Sequence, residues 1–145
     1  MIDYRKRAKK SILIIDGKTL DTIFDSEQLV FQFFEVAMLA PCLCICRCSP
    51  TQKADVVRLL KKFSGGKRIA SVGDGGNDVG MILEADVGIG IVGKEGMQAA
   101  LASDFSINQF SYLKKLILWH GRQSYRASAV LSQFVFHRGL IISVI

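Results

Sequence analysis

The stretch that decides the fold is "SVGDGGNDVG", residues 71 to 80, which follows a short apolar run. It places two carboxylates, Asp74 and Asp78, among four glycines. Neighbouring negative charges repel each other, and glycine raises the entropy cost of ordering a backbone. A turn of this composition is therefore expected to bind an ion or a ligand, because a simple connection between two secondary-structure elements would not need these residues.

Around this turn, short apolar runs alternate with segments of helical periodicity, and each run ends in a polar or glycine-rich turn. That alternation predicts an α/β domain with a parallel sheet and helices on its faces. The chain has 145 residues and is 50% hydrophobic, which is enough for one domain with a core. The predicted strands are residues 11 to 15, 42 to 46, 68 to 72, 87 to 91 and 105 to 107.

The same pattern predicts four helices, over residues 27 to 39, from 50 to the glycines at 65 and 66, from 77 to 85, and from 96 to 102. The second has the clearest start. Ser49 can cap it, Pro50 suits its first position and Gln52 completes a Ser-x-x-Gln capping box.

The net charge of +6 is concentrated at the C-terminal end, where residues 105 to 145 hold five basic residues and no acid. A basic flank that leads into apolar sequence is typical of the cytosolic side of a membrane span. The uncharged run from 139 to 145 is shorter than the roughly 20 residues that a span needs. We therefore expect the beginning of a span, with an amphipathic soluble helix as the alternative, and we expect the chemistry to face the cytosol.

Two other features are expected to be structural. The basic stretch within residues 1 to 10 has the composition of a solvated lead-in, so no nucleic-acid partner is expected. Cys42, Cys44, Cys46 and Cys48 alternate along a predicted strand, which is the wrong spacing for a zinc knuckle or a relaxed disulfide. They are expected to be buried free thiols.

Charged residues follow three of the predicted strands. Asp16 follows the first, Arg47 the second and Asp74 the third, and Lys53 lies early in the helix after Arg47. Ligands of open parallel sheets bind beyond the carboxyl ends of the strands, so these charges are expected to converge.

Magnesium suits two clustered carboxylates with no cation beside them in the sequence, and lysine suits a phosphate. The combination predicts phosphoryl transfer. Two alternatives remain open: a polar turn in which Asp78 caps a helix, or a dinucleotide site, for which "GDGGND" lacks the G-x-G-x-x-G spacing.

"GDGGNDVGM" resembles the G-D-G-x-N-D segment of P-type ATPases, whose phosphorylation domain has a haloacid-dehalogenase-like fold. "CRCSPTQKADVVRLLKK", "VGIGIVGKEGMQAALASDFSINQF" and "HGRQSY" resemble the phospholipid-transporting subfamily, the flippases. "CRCSPTQK" and "LSQFVFHRGLIIS" are most similar to the flippase II branch, which is placed on Golgi and endosomal membranes and is thought to act without a partner subunit.

The resemblance implies a role for each matching residue. Arg47 and Lys53 would contact nucleotide and phosphate, and Asp74 would ligate magnesium. Asn77 and Asp78 would order the phosphorylation site and contact ATP or magnesium. In this reading Lys53, Asp74, Asn77 and Asp78 are catalytic, the cofactor is Mg²⁺ and the substrates are ATP and a phospholipid moved toward the cytosolic leaflet.

The sequence contains neither the D-K-T-G motif that carries the phosphorylated aspartate nor the T-G-D motif. The resemblance therefore implies part of a pump, inactive alone and dependent on the other domains and the membrane. The domains would be a lead-in (1 to 10), half of a phosphorylation domain (11 to 110), a stalk (111 to 126) and the start of a truncated transmembrane helix (127 to 145).

The sequence leaves two alternative functions open. One is an autonomous phosphatase of the same fold with Asp16 as nucleophile, although Lys18 occupies the place of the usual second acid. The other is a non-catalytic fragment that binds a membrane through residues 112 to 145.

Overall fold

The computed structural model describes residues 11 to 93 and 97 to 144. These residues form an α/β unit with parallel strands, which ends at Ser106, and a second unit that begins at Ile107. The predicted lead-in over residues 1 to 10 lies outside the described residues, as does the predicted start of a helix at Gly96.

The first sheet has two parallel strands, β1 (Ile12–Asp16) and β2 (Cys42–Cys46), with Ile12 opposite Cys42. Between them the chain forms α1 (Gly17–Phe24) and α2 (Glu27–Ala37). The sequence pattern did not predict α1. It begins at Gly17, directly after the strand, so the pattern contains no turn that separates strand from helix, and Asp16 at its N-cap makes no side-chain capping hydrogen bond.

The second sheet has three strands in the order β3 (Ala70–Gly73), β4 (Val87–Ile91) and β5 (Phe105–Ile107), and β3 and β4 are parallel. Three short helical elements connect these strands: a 3₁₀ turn (Gly76–Asp78), α4 (Val79–Glu84) and α5 (Gln98–Ala102).

The helix α3 (Pro50–Phe63) connects the two sheets, and its observed start agrees with the prediction. The Ser49 hydroxyl accepts the Gln52 backbone N–H at 3.2 Å, and the Gln52 side chain accepts the Ser49 N–H at 2.8 Å. The core lies beneath it, where the rings of Phe34 and Phe63 stack with centroids 5.3 Å apart. The largest fully buried side chains of this unit are Leu20, Phe34 and Ile89.

The structure differs from the single sheet that the sequence predicted, because β2 and β3 are not hydrogen-bonded to each other. A groove of about 480 Å³ lies between them, lined by Ile45 of β2, Val56 and Leu60 of α3, and Val72 of β3. Strand periodicity shows where strands form but not which edges pair, so the sequence could not reveal this gap.

The prediction of buried thiols is wrong for three of the four cysteines. Cys42, Cys44 and Cys46 are exposed and Cys48 is partly exposed. The three exposed cysteines of β2 share one face of the two-stranded sheet with the exposed side chains of Ile12 and Ile14, and among the described residues no helix covers that face. Alternation correctly placed the thiols together but could not show whether that face is covered.

The second unit contains a helix of 33 residues, Tyr112–Val144. By length and composition it could cross a membrane, with a mean hydropathy of 1.4 in its most apolar window. A π-helical turn (Leu116–Gly121) separates α6 (Tyr112–Lys115) from α7 (Arg122–Val144). The predicted stalk and span therefore share one helix, and the boundary between them at residue 126 stays a prediction.

Candidate functional site

The site is built at the carboxyl end of β3, where the chain leaves the sheet at Gly73 and returns through the 3₁₀ turn (Gly76–Asp78). The carboxylate of Asp78 folds back over this end, and its Oδ2 accepts the backbone N–H of Asp74 at 3.3 Å. A Cβ at Gly73 would collide with the Asp78 side chain. Glycine is therefore required here for a close approach.

The α3 helix supplies the cation of the site. Lys53 Nζ lies 2.7 Å from Asp78 Oδ1 and donates a hydrogen bond to it. The Asp78 side chain is only 14% exposed and that of Lys53 is 33% exposed, so the pair is shielded from water on one side and open on the other. Lys53 and Asp78 are 25 residues apart in the sequence. Their contact therefore brings the S-P-T-Q-K and G-D-G-G-N-D segments together.

This contact changes one premise of the sequence analysis. Asp78 was taken to lack a nearby cation, but it has Lys53, which comes from a distant part of the chain. Asp78 also makes no capping hydrogen bond with its side chain to the following helix. Asp78 does occupy the N-cap position of that helix, so the alternative of a polar turn in which Asp78 caps a helix is contradicted only in its side-chain hydrogen bond.

The other predicted residues are near the strand ends, but within the part of the chain that the structure describes none of their side chains makes a hydrogen bond or ion pair with Lys53 or Asp78. Asp74 and Asn77 are exposed, and the Asp74 carboxylate has no ion pair or hydrogen bond within residues 11 to 93 and 97 to 144. Arg47 is exposed at the end of β2, and its backbone has the left-handed φ of 55°. For a residue with a side chain this conformation costs of order 1–3 kcal/mol.

Asp16 ends β1, opposite Cys46, and is only partly exposed. In the part of the chain that the structure describes, its side chain makes no hydrogen bond or ion pair with Lys53, Asp74 or Asp78. Of the convergence expected for the strand-end charges, the structure thus shows one pairing, between Lys53 of α3 and Asp78 of the 3₁₀ turn after β3.

Sequence reasoning missed the buried amide of Gln52, which it treated only as part of a cap. Gln52 Nε2 donates to the carbonyl oxygen of Gly17 at 3.0 Å and also to Asp21 Oδ1. The amide thus joins the start of α1 to the start of α3. A signal was available, because Gln52 lies one helical turn before Val56, and a glutamine on the buried face of a helix must find partners for both ends of its amide.

A second charged cluster holds α3, α4 and β3 together beyond the site. The backbone N–H of Ile69 donates to Asp86 at 2.9 Å, and Lys61 lies 3.4 Å from the same carboxylate. The Ile69 hydrogen bond, followed by Lys61 and Arg68, lowers the pKa of Asp86 below its ordinary value of 3.8. Nearby, Arg58 lowers the pKa of Glu84 by donating a hydrogen bond at 2.6 Å.

The donor set fits magnesium as proteins commonly bind it. Mg²⁺ keeps several waters and takes one or two carboxylates together with substrate phosphates. Asp74 presents one exposed carboxylate, the kind of ligand that such binding needs, whereas the Asp78 oxygens accept hydrogen bonds from Lys53 Nζ and from the Asp74 backbone N–H. No group of three or more His, Cys, Asp or Glu side chains that could hold a metal occurs among the described residues.

Comparison with known proteins extends these observations. A protein-family model described as "Phospholipid-translocating P-type ATPase C-terminal" matches residues 100 to 145. The phospholipid-transporting ATPase NEO1 of Saccharomyces cerevisiae is 52% identical over 143 residues, which is 99% of this chain and 12% of that protein.

The chain belongs to the phospholipid-transporting P-type ATPase family. The probable phospholipid-transporting ATPase IIB of Homo sapiens is 51% identical over 138 residues, 95% of this chain and 12% of that protein. The neo1 protein of Schizosaccharomyces pombe is 50% identical over 134 residues, 92% of this chain and 13% of that protein. The chain therefore spans about an eighth of the length of these P-type ATPases.

Proposed function

We propose that this chain is the part of a phospholipid-translocating ATPase that positions Mg²⁺ and phosphate at an aspartyl-phosphate site. The observation that supports this most is the Lys53–Asp78 pair at 2.7 Å, which joins the two family motifs. The fold proposed for the first unit is one part of a haloacid-dehalogenase-like phosphorylation domain.

Each residue has a distinct task in this proposal. Lys53 neutralises the transferring phosphoryl group, and Asp78 holds the lysine in place before that group arrives. Asp74 would hold Mg²⁺, which supplies charge neutralisation at phosphate oxygens when bound. Arg47 and Asn77 would contact the nucleotide from the exposed rim. Charge stabilisation of this kind is the main part of catalysis in phosphoryl transfer.

The nucleophile comes from another segment of the longer protein. The unpaired edges of β2 and β3 border a groove whose lining includes Lys53 and Asp78. A strand added there would find backbone hydrogen-bonding groups on both sides and would end beside the charged pair. We place the D-K-T-G strand of the pump in this groove, and we expect the 145 residues alone not to hydrolyse ATP.

The second unit would attach this site to the membrane. The helix Tyr112–Val144 has the length and composition of a span, and its first half carries Lys114, Lys115, Arg122 and Arg126. We propose that the basic half lies at the cytosolic surface of a Golgi or endosomal membrane. The rival function of a membrane-binding fragment without catalysis shares this element but assigns no role to Asp74.

A titration tests the proposal. We would add Mg²⁺ and then inorganic phosphate to the isotope-labelled chain and follow the backbone amide resonances of Lys53 and Asp74 by NMR. The wild type should respond to both additions, Asp74→Ala should lose the Mg²⁺ response, and Lys53→Ala should lose the phosphate response.

The matched controls are Asp25→Ala and Lys67→Ala, which remove an exposed acid and an exposed base outside the site. They should bind like the wild type. A wild-type chain without any Mg²⁺-dependent response, or an Asp74→Ala variant that responds normally, would contradict the proposal.

A further inference from the structure

The amide of Gln52 is the most fully used polar side chain near the site. The residue is 9% exposed. Its Oε1 accepts the Ser49 N–H at 2.8 Å, and its Nε2 donates both to the Gly17 carbonyl at 3.0 Å and to the Asp21 carboxylate. One buried side chain therefore ties the first turn of α3 to the first turns of α1.

The chain is tightly packed where Gln52 meets Gly17. A Cβ at Gly17 would lie 2.6 Å from the carbonyl oxygen of Arg47 and 3.1 Å from Gln52 Oε1, so only glycine fits. Arg47 itself has the left-handed φ of 55°. A strained backbone persists only where its surroundings fix it, and here Gly17, which is hydrogen-bonded to Gln52, packs against the Arg47 carbonyl.

Gln52 also precedes Lys53 directly in the first turns of α3. A lysine side chain is long and flexible, so its head reaches one partner consistently only if the backbone that carries it is fixed. The capping box fixes the first turn of α3 to its own N-terminus, and the Gly17 and Asp21 contacts of Gln52 join the same turn to α1. Other side-chain contacts of α3 with its neighbours lie further along the helix, at Arg58, Lys61 and Phe63. The backbone next to Lys53 is thus held by contacts with residues 31 to 35 positions earlier in the chain than Gln52.

We propose that Gln52, together with Asp21 and Gly17, is a positioning cluster that sets the backbone of both cations, Arg47 and Lys53. The consequence for phosphate binding rests on the proposed function. The geometric part of the proposal, that the cluster positions Lys53 against Asp78, does not rest on the proposed function.

The test measures the reactivity of lysines in the full 145-residue chain. A limiting amount of an acylating reagent is added under native conditions, and mass spectrometry gives the rate for Lys53 relative to Lys61. Lys61 lies on the same helix and has its own partners in Asp86 and the Glu84 carbonyl, so it reports on general loosening of α3. Because pairing with Asp78 protects Lys53, its relative rate measures how well it is positioned.

Gln52→Met keeps the length of the side chain and removes its hydrogen bonds. It should raise the ratio of the acylation rate of Lys53 to that of Lys61 about fivefold. Asp21→Ala removes one acceptor from an exposed position and should raise the ratio about twofold. Asp25→Ala, four residues further along, is the matched control and should leave the ratio unchanged.

Exchanging the amide of residue 52 and the carboxylate of residue 21 provides a further test of their contact. Gln52→Glu places a carboxylate against Asp21 and should raise the ratio, whereas adding Asp21→Asn restores a donor and acceptor pair and should lower the ratio again. An unchanged ratio in Gln52→Met overturns the proposal. If that variant does not fold, an unchanged ratio in Asp21→Ala overturns it.

A final arm separates this inference from the proposed function. Mg²⁺ with inorganic phosphate should protect Lys53 of the wild type from acylation, and at least fivefold more phosphate should be needed in Gln52→Met. Absence of protection in the wild type would count against the phosphate site alone. The ratio without phosphate would still decide whether Gln52 positions Lys53.

Discussion

Asp78 connects more of the candidate site than any other residue, because its two carboxylate oxygens serve different segments. Oδ1 accepts from Lys53 of α3, and Oδ2 accepts the N–H of Asp74 in the preceding turn. These contacts hold the carboxylate between a cation and a backbone dipole. The identity of residue 73 is fixed by the same arrangement, since the Asp78 side chain occupies the space of a Cβ.

We expect Gly73→Ala to displace Asp78 and to lower the free energy of unfolding by about 1–3 kcal/mol, the usual cost of inserting an atom into a packed site. Chemical denaturation measures this change. Gly75→Ala is the matched control, because a Cβ there meets nothing within 4 Å and its φ is −125°, which any residue adopts. Equal losses in the two variants would contradict the close approach of Asp78 to Gly73.

A second residue-scale prediction concerns acid stability. The pKa of Asp86 is lowered in the folded chain, first by the hydrogen bond from Ile69 and then by Lys61 and Arg68. A depressed carboxyl pKa stabilises the fold at pH values above the ordinary value of 3.8, and the stabilisation disappears as the pH falls through the folded value.

Asp86→Asn should therefore flatten the loss of stability below about pH 4, as measured by denaturation at a series of pH values. Asp25→Asn, an exposed acid, is the control and should keep the wild-type slope. A wild-type slope in Asp86→Asn would show that the Asp86 carboxylate contributes nothing to acid unfolding.

At the scale of elements, α3 and the helix Tyr112–Val144 carry different tasks. The α3 helix is fixed at its start by a capping box and brings Lys53 to the end of β3. The long helix has no buried residue in its apolar window, so its apolar side chains are open to a membrane or another protein surface.

Removal of the α3 cap tests how much it contributes. Ser49→Ala should lower the free energy of unfolding by about 1 kcal/mol, because the Gln52 N–H loses its acceptor. Ser26, at the N-cap of α2, makes no such hydrogen bond, so Ser26→Ala should change stability by much less. Thermal or chemical denaturation of both variants gives the comparison, and equal losses would count against the cap.

Arg138 is the clearest test of membrane insertion. It lies 12 residues after Arg126, about 18 Å along the helix axis, so a membrane whose surface lies near Arg126 would place it deep in the hydrocarbon. Arg138→Leu should favour insertion by about 2.5–3.5 kcal/mol. A membrane-insertion assay measures this value, and Arg122→Leu, near the basic end, should change it little. Equal effects of the two substitutions would contradict the proposed depth.

At the scale of the whole molecule, the sequence predicted most of the elements because their signals are local. The strands Cys42–Cys46, Val87–Ile91 and Phe105–Ile107 and the start of α3 were placed correctly from alternation and capping residues. The break between β2 and β3 and the exposure of the thiols were not predicted, since both depend on which elements lie beside each other.

In the candidate site too, the sequence predicted individual residues but not the contacts between distant ones. Local motifs named Lys53, Asp74 and Asp78, but the pairing of Lys53 with Asp78 joins residues far apart in sequence. The Gln52 contacts with Gly17 and Asp21 are equally distant. Helical periodicity cannot predict such contacts, because it describes the face of one helix and not its neighbours.

The open face of the first sheet gives a prediction for the molecule as a whole. Parallel sheets are nearly always covered on both faces, whereas Cys42 and Cys44 are exposed here. A thiol reagent at neutral pH should modify both before Cys48, because burial raises the pKa of the Cys48 thiol. Cys46 should react more slowly than Cys42, because Cys44 raises its pKa.

Mass spectrometry of the alkylated peptides gives the order in which the four cysteines react. Unfolding in urea should remove the differences between their reaction rates. In the longer ATPase that contains this chain, coverage of the face should slow Cys42 and Cys44 as well. Rapid modification of both in the longer protein would mean that the face is open there too.

The turn Leu116–Gly121 has a further consequence for the long helix. A π turn accommodates one residue more than an α turn, so each side chain beyond it is rotated by about 100° relative to an unbroken α-helix. Removing a single residue there would let the turn close as an α turn and would leave the azimuth of the apolar stretch unchanged, whereas an α turn formed without a deletion would rotate that stretch by about 100°. The azimuth of the apolar side chains relative to Lys114 and Lys115 thus depends on the π geometry of this turn.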